Sequence, residues 1–235
     1  MTTRTFLFAT FLCFLTVGII AISPLSSSAA KSSESTRIYL PSIANKFCGP
    51  YFDPFDDPGS GWITGPFGDL RAEVREGEYG LMFTGRGMVW LVPGPVCEHT
   101  AYRAAVDVRW INATGNFAGL IFNLDDTTRN GYLFAINTDE RVWLVFEVVG
   151  DSLGTMLSPV GNDAILPGTA VNRLAVERVD QSMILSVNGT PVGELRDSQH
   201  GRPVIAGVAA ASYTTQDQAE VRFDNFAYAP VASGQ

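Results

Sequence analysis

From residue 48 onward, Gly, Pro, Asn and Asp recur about every ten positions, with short apolar runs between them. That rhythm leaves room for strands and tight turns and almost none for helices. The clearest run is Tyr102–Trp110. Tyr102, Ala104, Val106, Val108 and Trp110 fall on one side, and Arg103, Asp107 and Arg109 on the other. A period of two with charges on one face is what a half-buried strand requires. Val142–Val149 repeats the pattern, with Val142, Leu144, Phe146 and Val148 on one face and Trp143, Val145 and Glu147 on the other. Val171–Arg178 alternates again. No long 3.6-residue periodicity occurs in this part of the chain. The pattern predicts an all-β fold, a sandwich or a barrel.

Turn chemistry adds the connections. Asn188-Gly189 lies between the apolar runs Met183–Val187 and Thr190–Leu195, and Asn-Gly favours a two-residue hairpin because both positions take positive φ. Gly119–Leu124 and Tyr132–Asn137 form a second hairpin candidate around a polar loop. Val204–Ser212 is a strand of small residues suited to a crowded sheet, and Val221–Tyr228 closes the domain.

The N-terminus reads as an export signal. Arg4 precedes an uncharged run from Phe6 to Ile22, Pro24 ends it, and Ser28-Ala29-Ala30 supplies small residues for cleavage. The rival reading is an uncleaved anchor, since the run approaches the length of a membrane span. The expected organisation is a signal over 1–30, a Ser-rich spacer over 31–47, the sandwich over 48–230 and a tail over 231–235. The product is expected to be secreted or held at the cell surface, with no membrane insertion after cleavage. Removing the signal leaves Cys48 and Cys97, which in an exported chain are expected to form one disulfide. Closing a loop of that length is worth about 4 kcal/mol in the chain-entropy model. A net charge of −8 without a Lys/Arg cluster repels phosphates, so nucleic acid is not an expected partner.

Six segments in order carry a resemblance: Phe52-Asp53-Pro54-Phe55-Asp56-Asp57-Pro58-Gly59-Ser60-Gly61-Trp62, Gly77-Glu78-Tyr79, Gly119-Leu120-Ile121-Phe122, Gly131-Tyr132-Leu133-Phe134, Leu185-Ser186-Val187-Asn188-Gly189 and Arg222-Phe223-Asp224-Asn225-Phe226. The series resembles the concanavalin A-like, laminin G-like jelly-roll superfamily, and looks closest to exported bacterial modules of the keto-disaccharide hydrolase-like type. The resemblance implies two antiparallel sheets, one of them concave, with sugar often bound on the concave face or a rim, and a structural calcium as a common feature. The superfamily holds lectins, glucanases and adhesion domains, so the fold does not fix the function.

Hydrolysis by a retaining mechanism needs two carboxylates about 5–5.5 Å apart. The Glu-x-Asp-x-Glu strand motif of jelly-roll glucanases does not occur; Glu147 is the one acid of its strand, and Glu73, Glu76 and Glu78 read as a turn-like stretch. Asp197-Ser198-Gln199-His200 holds the letters of a triad, but neighbours in sequence cannot make its geometry. For calcium, Asp53, Asp56 and Asp57 crowd the domain entrance, with Asp224 in the terminal strand and Asp125-Asp126 as a second cluster. Turn preference alone also explains the entrance aspartates. For sugar, Trp143 alternates with an apolar set and is expected to face outward. Tyr132, Asn123 and Arg129 would complete a stacking platform. Trp62, Trp90 and Trp110 read as packing residues. The expectation is an exported, noncatalytic module that recognises carbohydrate by aromatic stacking on the concave sheet. One alternative is a structural domain contacting a cell-surface protein; another is a glycoside hydrolase-like enzyme.

Overall fold

The alternating runs become sixteen strands among the described residues of the computed structural model. Those residues are 37–39, 46–85, 88–112, 116–125, 127–150, 152–197, 205–212 and 218–231. The signal reading, most of the spacer, Asp126, His200 and the tail beyond residue 231 lie outside them. In chain order the strands are β1 (Arg37–Tyr39), β2 (Tyr51–Asp53), β3 (Gly65–Phe67), β4 (Leu70–Arg75), β5 (Glu78–Phe83), β6 (Met88–Pro93), β7 (Tyr102–Trp110) and β8 (Phe117–Leu124). There follow β9 (Gly131–Asn137), β10 (Val142–Val149), β11 (Ser152–Gly161), β12 (Asn172–Val179), β13 (Ser182–Val187), β14 (Thr190–Arg196), β15 (Ile205–Ser212) and β16 (Ala219–Pro230).

They make two sheets. One is seven-stranded, in the order β1-β6-β15-β8-β9-β10-β11; the other is nine-stranded, β14-β13-β12-β7-β16-β5-β4-β3, with β2 added on β16. Every pairing is antiparallel except β1 on β6. Arg37–Tyr39, read from sequence as spacer, is therefore a strand of the first sheet. The expected two-sheet antiparallel sandwich is what the chain forms.

The two sheets are built from different kinds of strand. In the nine-stranded sheet burial alternates cleanly, as in β7 and β12. Its inner side chains include Tyr102, Val106, Leu174 and Phe223, all at 0% exposure. In the seven-stranded sheet β8, β9 and β15 are buried at nearly every position. Strands buried on both sides read as continuous apolar runs, and alternation then says nothing about which side faces the partner sheet. That is why the expectation for Trp143 fails. It is 4% exposed and lies inside the sandwich. A Cβ added at Gly193 of β14, in the opposite sheet, would stand 2.5 Å from its ring.

Turns follow the expected chemistry. Asn188 and Gly189 both have positive φ, 50° and 79°, and join β13 to β14. Glu76 (57°) and Gly77 (75°) make the same turn between β4 and β5. Cys48 and Cys97 form a disulfide across 49 residues. Beside it the Phe47 N–H donates to the Pro95 carbonyl and the Cys97 N–H to the Phe47 carbonyl, each at 2.8 Å. This clip holds the segment that leads into β2.

Candidate functional site

The platform expected from sequence does not form. Asn123 is 0% exposed and belongs to a polar link between the sheets. The Tyr102 hydroxyl donates to its side-chain oxygen at 3.0 Å, Arg178 donates to the same oxygen at 3.2 Å, and Asn123 Nδ2 donates to Asp197 at 3.2 Å. Tyr132 is buried too, and burial, with Asp197 and Glu147 nearby, pushes its hydroxyl up to about 12. Arg129 is exposed in the β8–β9 turn with φ 59°. The opposite side of β8, β9 and β10 carries Ile121, Leu133, Ala135, Leu144 and Val148, all buried. Neither side of these strands therefore presents an open face at these positions.

Nor do the four aspartates expected to hold calcium converge as a set, although Asp56 lies near enough to Asp224 to act on its carboxyl. Asp53 is buried and its carboxylate is used within the protein. Tyr51 Oη donates to it at 2.7 Å, Trp62 Nε1 at 3.0 Å and the Phe55 N–H at 2.7 Å. Asp57 accepts from the Gly59 N–H, a turn bond. Asp56 is exposed, and Asp224 lies in β16. Among the described residues no three His, Cys, Asp or Glu side chains converge in a metal-holding group.

A different surface is organised as a site. On the outer face of the nine-stranded sheet, register aligns Phe52 of β2 with Ala227 of β16, Ala227 with Ala105 of β7, and Ala105 with Ala175 of β12. Ala175 in turn faces Ser186 of β13. Small residues thus occupy one row across four adjacent strands, where a solvated sheet face ordinarily carries long polar side chains. Phe52, 60% exposed, stands at the end of the row. The result is a trough.

Charged pairs form its walls. On one side Arg103 donates to Glu177 at 2.8 Å. On the other, Arg173 donates to Asp107 at 2.8 Å and Asn225 Nδ2 donates to Asp107 at 3.0 Å. Near Phe52 the trough deepens into a depression of about 240 Å³ lined by Tyr51, Phe52, Arg103, Ala105, Ala227 and Ala229 among others. Phe47, 52% exposed, stacks on Tyr51 with ring centroids 5.1 Å apart and extends the aromatic edge.

Beyond the Asp107 wall lies a second depression of about 260 Å³, lined by Glu78, Asp107, Arg109, Val171, Arg222, Asp224 and Asn225. Glu78 binds Arg109 through both carboxylate oxygens, at 2.7 and 2.6 Å, and also accepts from Arg222. The hydrogen bond from Arg109 dominates and holds its carboxyl below the usual range. Glu76 accepts from Arg222 as well, so the turn-like stretch read from sequence places two of its three glutamates on one guanidinium. Asp224 faces Asp107 directly across the β7–β16 pair. Partial burial raises its carboxyl above the usual range; Asp107, Glu78 and Asp56 add to this, and the hydrogen bond from the Asn225 N–H opposes it.

Alternation in Tyr102–Trp110 already places Arg103, Asp107 and Arg109 on one face, so part of this surface is readable from sequence. The alanine row is not, because it depends on the register of strands far apart in the chain. Asp107 and Asp224 meet for the same reason, and a β-bulge between Asp224 and Ala227 sets Asn225, at φ 51°, beside them.

No protein-family model and no curated protein matches the sequence. Solved structures share the fold. The β-glucanase of Bacillus licheniformis aligns with a TM-score of 0.57 and 13% identity, over 78% of this chain and 99% of that one. Apo Crh5 transglycosylase aligns with a TM-score of 0.60 and 9% identity, over 83% and 89%. A mutant GH43 protein, BlXynB from Bacillus licheniformis, aligns with a TM-score of 0.56 and 19% identity, over 77% of this chain; this chain spans only 39% of its length. At these identities the likeness establishes the architecture, a concanavalin A-like jelly roll.

Proposed function

We propose that the protein is an exported, noncatalytic module that recognises carbohydrate in the alanine trough. The observation that carries this reading is the row Phe52–Ala227–Ala105–Ala175, lined up by register between two walls of charged pairs. A pyranose has an apolar C–H face and a rim of hydroxyls. The exposed Phe52 ring supplies a stacking surface, as an aromatic anchor does in other binding sites. The alanine floor lets the ring settle against the backbone. Arg103, Glu177, Asp107 and Asn225 supply donors and acceptors at the height of the hydroxyls. The structural neighbours support the reading only as company, since they include enzymes of glycan chemistry on the same fold.

A glycan array probed with the purified protein and with Phe52→Ala tests it. The wild type is expected to retain one or a few related glycans, and Phe52→Ala to lose them by about tenfold or more, as for a stacking anchor. Silence against every glycan, or equal retention by Phe52→Ala, rejects the reading. Release of reducing sugar from a retained glycan would make the protein an enzyme and reject the noncatalytic half.

A further inference from the structure

Resting on that reading, we infer that the trough holds an internal run of several sugar units crossing the strands, and not a single terminal sugar. The floor passes through Phe52, Ala227, Ala105, Ala175 and Ser186, one residue from each of five neighbouring strands. At the usual strand spacing this is about 19 Å from end to end. One ring fills only a fraction of that length.

The ends of the row are as informative as its length. On the Phe52 side it finishes on β2, which among the described strands pairs only with β16. On the other side Ser186 is aligned with the exposed Pro191 of β14, the last strand of the sheet. Each end therefore reaches an edge strand, and among the described residues no strand of the sheet walls the trough off. A site for a chain terminus needs a wall that stops the chain; an open trough lets the polymer enter at one edge and leave at the other. The walls are spread in the same way. Arg103–Glu177 and Arg173–Asp107 are aligned neighbours across β7 and β12, so polar groups flank the middle of the floor and not only the aromatic end.

Isothermal titration with N-acetylchito-, cello- and xylo-oligosaccharides, from monosaccharide to hexasaccharide, tests the inference. In the series that binds, affinity is expected to climb by about tenfold or more with chain length and then level off. Ser186→Lys places a long side chain on the floor at the end remote from Phe52. It should flatten that climb without changing the melting temperature. Affinity independent of length, or a climb that survives Ser186→Lys, overturns the inference while leaving sugar recognition at Phe52 intact. Failure of all three series to bind, with the wild type also silent on the glycan array, overturns both.

Discussion

Glu78 and Asp224 line one depression, yet their carboxyls move in opposite directions: the hydrogen bond from Arg109, with Arg222 beside it, holds Glu78 down, while partial burial, with Asp107 opposite, pushes Asp224 up. Glu78 accepts from two guanidiniums, so its folded pKa lies below the ordinary value. The stability it contributes is present above the ordinary glutamate range and is lost as pH falls through the folded value. Asp224 accepts one backbone N–H and faces Asp107. Its folded pKa lies above the ordinary value, so the native state binds that proton more tightly than the unfolded chain does. Stability is then greatest below the ordinary aspartate range and declines as pH rises through the raised value. Thermal melts of Asp224→Asn and Glu78→Gln from pH 2 to pH 8 should therefore diverge. At pH 7 the first melts above wild type and the second below it. Both differences shrink in acid, on a scale of roughly 2–4 °C per kcal/mol for a chain of this size. A lower melting temperature for Asp224→Asn at pH 7 would contradict the cost of keeping that carboxylate partly buried beside Asp107.

Strand β10 shows which part of the fold and site sequence can reach. Where one face of a strand meets water, as in β7, alternation in the sequence names the faces correctly and the strand bounds agree to the residue. Where both faces are buried, as in β8 to β10, the pattern still announces a strand but loses its sign, and Trp143 goes inward against Gly193. The short strands β2 to β5 are similarly hard to see, since each takes its meaning from partners in other parts of the chain. β2 carries Phe52, so the exposed aromatic of the proposed site is out of reach of local pattern. The two aromatics now separate by experiment. Trp143→Ala opens a cavity between sheets and should cost about 3–5 kcal/mol in denaturant unfolding. Phe52→Ala, on an exposed strand, should stay within about 0.5 kcal/mol while losing glycan. Removing the disulfide with Cys48→Ser/Cys97→Ser should cost about 4 kcal/mol, with glycan affinity falling further if the clip also positions β2. A Trp143→Ala variant as stable as wild type would place that ring outside the core.

At the scale of the whole molecule, β16 ties the domain together. It pairs with β2 near the start of the domain, with β5 and with β7, and its own row of side chains supplies Phe223 and Phe226 to the core and Asp224, Asn225 and Ala227 to the outer face. The nine-stranded sheet has no continuous path from β7 to β5 without it. These pairings join residues more than a hundred positions apart, and closing such loops costs entropy before any pair is rewarded. Two consequences belong together. A chain ending before Ala219 should fail to reach the native fold, read as loss of a cooperative thermal transition, because one sheet is cut in two and the aromatic core around Phe55, Trp62 and Phe226 loses a wall. The complete chain, dominated by non-local strand pairs, should refold in milliseconds to seconds or slower in stopped-flow fluorescence of its tryptophans. Since the trough floor exists only after β2, β16, β7 and β12 are in register, glycan binding during refolding should appear with the last native fluorescence phase. Binding that precedes that phase would mean that a local segment, and not the assembled sheet, recognises the sugar.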